Sequence, residues 1–343
     1  MTVLSFDLIV HWPMAVLLAS IALLIIVLGK GADMLVEEAV ELSAYWKVPT
    51  ILIGATIVSL GTTLPEAAVS VMAAMGGHPE IALGNAVGSI ICDTGLILGM
   101  ATLLSPLPLK RQIVNRQGWL QFATGCLLIL SCIPFFSVRD VFAKGGLLPQ
   151  FMGFVFLMLL ILYFWTSIWW TKKPLESSEP AKLVYRQKVS GLSCMAKLLL
   201  GIGLVVLASH LLIPIVMVTA LRLNVPQGII SATIVAFGTS LPELVTAVSA
   251  VRKQQGELAV GNVIGADILN VLFVAGASAS VTAPGLLAPP HFFKVLFPAM
   301  FFVLLVFRMA VLFSGSQLKR SYGMALLGTY VVTTYFSLAH IIV

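Results

Sequence analysis

Charge is what this sequence has least of. Only 10% of its 343 residues are Asp, Glu, Lys or Arg. A soluble domain of this length carries far more, so the scarcity excludes a soluble globular protein. Cysteine is nearly as rare. Cys92, Cys126, Cys132 and Cys194 lie in or beside apolar runs without metal-ligand spacing, which argues against a disulfide framework and for buried free thiols. No Ser/His or zinc-ligand constellation accompanies the acids, so neither an enzyme nor a cofactor is expected. The start, MTVLSFDLIVHWP, lacks a basic n-region and a small-residue cleavage site, and the first apolar run therefore reads as a retained helix.

Apolar sequence is what fills the chain. Hydrophobic residues make up 59%, and the mean hydropathy is +1.05. A hydrocarbon core of about 30 Å takes about 20 helical residues. Runs of that length lie near 11–29, 50–76, 80–104, 119–136, 147–171, 197–221, 226–251, 257–283, 292–313 and 322–343. They are too long and too unalternating for barrel strands, and in lipid the backbone must satisfy itself. The expected fold class is an all-α membrane protein with ten transmembrane helices.

The net charge of +6 is unevenly distributed. Alternate connections hold every Lys and Arg except Arg139, Lys144, Arg222 and Lys294. By the positive-inside rule those connections are cytoplasmic and both termini face outward. The partner implied is a lipid bilayer, read as the cytoplasmic membrane; nucleic acid is a poor explanation of the basic balance, and no obligatory protein partner is implied.

One pattern occurs twice, 177 positions apart: GATIVSLGTTLPE ending at Glu66 and SATIVAFGTSLPE ending at Glu243. With that offset, ten of eighteen residues match between 54–71 and 231–248, and seven of twenty between Glu80–Gly99 and Glu257–Gly276. Val48-Pro49 recurs as Val225-Pro226. Matches on Gly, Thr, Pro, Glu and Asn in one register point to duplication. Five helices per copy force the second copy into the membrane upside down, an inverted-repeat transporter architecture with its site at the midplane. The expected division is a first repeat over 1–171, a cytoplasmic linker over 172–196 and a second repeat over 197–343, with the repeated cores at about 50–104 and 226–283.

Each copy places a glutamate in an apolar span, where a lone carboxylate costs upward of roughly 2.5 kcal/mol. Pro65 has no amide hydrogen and crowds the Gly61 carbonyl, which predicts a broken helix with freed carbonyls. Thr62 and Thr63 precede Glu66 by four and three residues and can share its face; Thr239, Ser240 and Glu243 repeat the chemistry. The next helix offers Asn85, Ser89 and Asp93 as one polar stripe, with Gly84 and Gly88 allowing close approach; its counterpart reads Asn262, Ala266 and Asn270, with Gly261 and Gly265. Glu66, Glu243 and Asp93 would give a formal charge of −3, suited to a divalent cation or several monovalent ones. Hard oxygen donors of this kind prefer Ca²⁺ and Na⁺.

GTTLPE and GTSLPE, followed by GNAVGS and GNVIGA, resemble the two α-repeats of the cation/Ca²⁺ exchanger superfamily, most closely its prokaryotic Na⁺/Ca²⁺ exchanger branch. The resemblance implies a Ca²⁺ site formed by Glu66 and Glu243 with the carbonyls of Thr62 and Thr239. It also implies Na⁺ sites involving the side chains of Thr63, Ser240 and Ser89, with Asp93 and Asn270 completing the centre. The implied activity is export of Ca²⁺ in exchange for Na⁺ by alternating access. An H⁺-coupled antiporter of Ca²⁺ or another divalent cation is the alternative, and a passive cation channel is the reading from a different class. The chain departs from the family's GSN at Ile90, Ala266 and Asp267, and Asp267 is expected to point away from the site.

Two clusters receive simpler readings. Glu37, Glu38 and Glu41 read as a solvated helix end, and Tyr163, Phe164, Trp165, Trp169 and Trp170 as an interfacial aromatic belt.

Overall fold

The computed structural model describes residues 9–134, 140–171, 191–223 and 238–342. Along the chain run α1 (Met14–Trp46), α2 (Thr50–Met75), α3 (Pro79–Leu104), α4 (Arg111–Cys132), α5 (Gln150–Thr171), α6 (Gly191–Arg222), α7 (Leu241–Arg252), α8 (Gly256–Ser280), α9 (Phe292–Phe313) and α10 (Arg320–Ile342). Among the described residues, seven helices are long and apolar enough to cross a membrane: α1, α2, α3, α5, α6, α8 and α9. The other expected spans differ visibly. α4 opens with Arg111, Gln112, Asn115, Arg116 and Gln117, and α10 interleaves Thr and Tyr with its apolar residues. Of the run expected over 226–251, residues 226–237 lie outside the described residues, leaving α7 with 12 residues.

Several expected boundaries move. α1 runs for 33 residues, well past position 29. Its extension stays helical because Leu35, Val36, Ala39 and Leu42 form a fully buried stripe. It stops at Lys47, which turns left-handed (φ 55°) just before Val48-Pro49. Residues 191–196 of the expected linker belong to α6; the rest of it, 172–190, lies outside the described residues. Arg308, expected in a connection, sits inside α9 at 3% exposure. There its guanidinium donates to Asn115 Oδ1 (2.9 Å) and lies 4.4 Å from the centre of the Trp119 ring, which is how a cation is tolerated inside.

The ends of the two duplicated motifs, Thr62, Thr63 and Glu66 in the first and Ser240 and Glu243 in the second, are buried inside the bundle. α8 is almost wholly enclosed, whereas α1 and α5 turn most of their apolar surface outward. Leu18, Ile25, Met158, Ile161 and Phe313 stand more than half exposed on the exterior, an arrangement that suits hydrocarbon and not water. Small residues let α8 lie against the start of α2. A Cβ on Gly261 would stand 2.2 Å from the Ile51 carbonyl oxygen, and one on Gly265 would stand 2.6 Å from that of Ala55. The close approach expected of Gly84 and Gly88 is not seen among the described residues: Gly84 meets Phe292 at 3.6 Å and Gly88 has no neighbour within 4 Å. The segment that mirrors Ile51 and Ala55, at 228–232, lies outside the described residues.

Among the described residues, four short strands form two pairs between distant parts of the chain. β1 (Leu107–Pro108) pairs antiparallel with β4 (Gln317–Leu318), and β2 (Gly146–Pro149) with β3 (Gly285–Ala288). The exchange is reciprocal: a strand following α3 joins the one before α10, and a strand following α8 joins the one before α5. At the surface, Lys253 reaches back to α1, 2.7 Å from Glu37 and 3.8 Å from Asp33. The hydrogen bond to Glu37 holds its ammonium above the usual lysine range.

Candidate functional site

Glu66 lies on α2 with Thr62 and Thr63 within one turn of it, and all three are buried. The helix break expected at Pro65 does not occur: the stretch Ser59–Met75 is continuous with Pro65 inside it. Pro65 still withholds the amide that would have bonded the Gly61 carbonyl, but packing of Ile202 against Gly61 supports the helix at that turn. The Thr62 carbonyl therefore belongs to an unbroken helix. The second motif behaves differently. Thr239 and Ser240 form a turn, and α7 begins at Leu241 with Pro242 in its first turn, where proline costs no hydrogen bond. This puts Glu243 at a helix N-terminus, where aligned peptide dipoles favour a negative charge.

The two motifs meet. Thr63 donates its hydroxyl to Glu243 Oε1 at 3.4 Å. Asn85 on α3 donates to the Glu66 carbonyl (3.5 Å) and to Ser70 Oγ (3.0 Å), and it accepts from Thr239 at 3.4 Å. The Glu66 carboxyl lies within electrostatic reach of both Glu243 and Asp93, and Ser240 lies against Asp93. Asp93 and Asn270 each sit at the start of a wide π turn, Cys92–Ile97 in α3 and Asn270–Ala275 in α8. Such turns widen the helix locally and redirect side chains. No residue type announces them, so the sequence carried no signal for them.

Unpaired acceptors show what this place lacks. Among the described residues, Oε2 of Glu66 and of Glu243, Oδ1 of Asp93 and of Asn270, and the hydroxyls of Ser89 and Ser240 are buried without a hydrogen-bond partner. Oδ1 of Asn262 is in the same condition. Among the described residues, no Lys or Arg forms an ion pair with Glu66, Glu243 or Asp93. A single buried unsatisfied group costs about 1–3 kcal/mol, and more when charged. Oxygen-only acceptors gathered this way can be satisfied together by a hard cation.

Asp267, expected to point away, lies within electrostatic reach of Asp93 and Glu243, and its Oδ1 is buried without a hydrogen-bond partner among the described residues. It is buried and accepts hydrogen bonds on Oδ2 from Thr94 and Gln121, while Gln121 also donates to Thr94 Oγ1 at 3.0 Å. Gln121→Leu would strip one of these donors from a buried carboxyl. A loss of about 1–3 kcal/mol in chemical-denaturation stability is expected, and Gln121→Glu should be worse than Gln121→Leu because it adds a like charge. Tyr163 also departs from expectation. It is 5% exposed and donates to the Ala55 carbonyl at 2.7 Å, inside the π turn Gly54–Val58 that precedes the first motif. Trp165 and Trp169 of the same cluster face outward.

Comparison with known proteins adds an independent line. The family described as sodium/calcium exchanger protein matches residues 16–169 and again 194–339. Inner membrane protein YrbG of Escherichia coli K12 is 31% identical over 323 residues, covering 93% of this chain and 95% of that protein. Sodium/calcium exchanger MaX1 of Methanosarcina acetivorans is 28% identical over 339 residues, covering 90% and 94%. A structure of the sodium-calcium exchanger NCX_Mj soaked with 2.5 mM Na⁺ and 10 mM Sr²⁺ matches with a TM-score of 0.77 at 24% identity, over 94% of this chain and 99% of that one.

Proposed function

This chain belongs to the sodium/calcium exchanger protein family, and from that premise we propose that it is a secondary active antiporter exporting Ca²⁺ in exchange for Na⁺. The observation that carries the reading is the meeting of the two motifs, with Thr63 against Glu243, around buried oxygens that have no hydrogen-bond partner among the described residues. Glu66 and Glu243, with the carbonyls of Thr62 and Thr239, would hold Ca²⁺. Thr63, Ser240 and Ser89, with Asp93 and Asn270, would hold Na⁺. The glutamates belong to both sets. Their charge is best neutralised either by one divalent ion or by several monovalent ones, and that competition couples the two fluxes.

Two inverted five-helix halves, 1–171 and 191–343, joined by a cytoplasmic linker over 172–190, are the architecture that suits this mechanism. Reciprocal strand pairing and the twofold match to one family pattern support it. The Lys and Arg distribution supports termini on the outer side of a cytoplasmic membrane. Proton coupling is the second reading, favoured by Ala266, which lacks a hydroxyl where the family pattern has serine, and by the additional buried acid Asp267.

Purified protein in liposomes loaded with ⁴⁵Ca²⁺ separates these readings. An inward Na⁺ gradient should drive Ca²⁺ out against its own gradient, and a pH gradient alone should not. Uphill movement driven by protons without Na⁺ would transfer the coupling to H⁺. Flux that only ever runs downhill and needs no counter-ion would support a channel.

A further inference from the structure

The acidic end of α1 is not the solvated surface that its composition suggests. Glu38 is 7% exposed, although it stands among polar neighbours. Glu38 and Glu41 are three residues apart and share a face of α1. Cys194 and Lys197 are also three apart, on α6. The two faces meet. Lys197 Nζ lies 3.2 Å from Glu38 Oε1, and the Cys194 thiol lies 3.6 Å from Glu41 Oε2. One ligand atom from each of Glu38, Glu41 and Cys194 falls within 4.8 Å of the others. Among the described residues, Glu38 Oε2 is buried with no hydrogen-bond partner.

We propose that Glu38, Glu41 and Cys194 form a binding site for a thiophilic divalent cation, Zn²⁺ or a congener, that clasps α1 to α6. Lys197 neutralises one carboxylate and uses only one of Glu38's oxygens. The other oxygen is a buried acceptor, and a thiol at 3.6 Å is a weak partner for Glu41. A metal ion satisfies all three groups. The Cys194 thiol gives up its proton to solvent as the metal–sulfur bond forms, with no change of oxidation state. Ligand type sets the class of ion: Ca²⁺ takes oxygen donors, whereas a thiolate with two carboxylates suits Zn²⁺ or Co²⁺. Three protein ligands leave one tetrahedral position for water.

The site is separate from the central one, which is oxygen-only and built on α2, α3, α7 and α8. It does not depend on the transported ions. Its effect would be mechanical. α1 and α6 touch closely where Gly201 faces Gly31 and Leu35, since a Cβ on Gly201 would stand 2.9 Å from the Leu35 amide nitrogen. The cluster would add a bridge between the same two helices one to two turns along.

Co²⁺ added to the full-length protein in detergent reports directly on thiolate coordination. One equivalent should bind with a thiolate-to-cobalt charge-transfer absorption that Zn²⁺ displaces and Ca²⁺ does not. Cys194→Ser should lose the absorption, and Glu41→Gln, which keeps the side-chain shape, should weaken Co²⁺ binding by about tenfold or more. Cys92→Ala should retain the absorption, because Cys92 sits beside Asp93 and not in this cluster. Gel filtration of each variant establishes that it is folded. Absence of the absorption in the wild type, its survival in Cys194→Ser, or equal displacement by Ca²⁺ would overturn the proposal.

Discussion

Glu243→Gln should reduce Ca²⁺ transport by roughly 100-fold or more while leaving the protein folded, and Glu66→Gln should do the same, because site affinity follows the number of charged ligands. Each change keeps the side chain's shape and removes one charge from a place where, among the described residues, no Lys or Arg pairs with it. Thr63 can still donate to the remaining carbonyl oxygen at position 243, so the hydrogen bond seen at 3.4 Å survives. The fold therefore loses little. In cation-free buffer it should gain, since mutual repulsion and the burial of unpaired charge are both relieved. The expected pattern is opposed signs: ⁴⁵Ca²⁺ flux falls to background, while the thermal transition in chelator stays where it was or rises. Added Ca²⁺ should stabilise the wild type and not the variants. Variants that transport normally, or that melt earlier in chelator and explain their inactivity by unfolding, would remove the central site from the mechanism.

The second large effect concerns packing. Gly261→Val should cost about 3 kcal/mol or more and leave little monodisperse protein after extraction. At this position even a Cβ would stand 2.2 Å from the Ile51 carbonyl oxygen and 2.9 Å from its carbon, and backbone cannot step aside as a side chain can. α8 is enclosed along nearly its whole length, so it cannot retreat either. Gly203→Ala is the matched control: it is exposed on α6 with no neighbour within 4 Å, and it should be near neutral. Fluorescence-detected size exclusion over a temperature series distinguishes the two. Equal stability of both variants would mean that α2 and α8 do not pack as closely as these distances state.

Part of this was legible in the linear chain because membrane burial makes it so. A glutamate in an apolar run is expensive wherever the helix lies, so Glu66 and Glu243 stood out without any coordinates, and the shared register of GTTLPE and GTSLPE paired them. Periods of three and four residues placed Thr62, Thr63 and Glu66 together, and spacing by four placed Asn85, Ser89 and Asp93 on one stripe. The helix break inferred at Pro65 failed, although the premise about the missing amide was sound. Neighbouring side chains can support a helix across one lost hydrogen bond, and a local rule for proline contains no term for those neighbours.

The amino-acid sequence alone determined that this is a helical membrane protein made of a duplicated unit, with acids inside apolar runs. The costs of burying charge and backbone polar groups in lipid act on each segment separately and leave their trace in composition and spacing. Tertiary structure alone decided which polar groups face one another. Glu38 is buried against α6 instead of solvated, Tyr163 bonds a π-turn carbonyl instead of joining a belt, Arg308 rests on Trp119 inside α9, and Asp267 is clamped by Thr94 and Gln121. Each of these outcomes depends on partners more than a hundred residues away in the chain, and a helical period defines a face without saying what will stand opposite it.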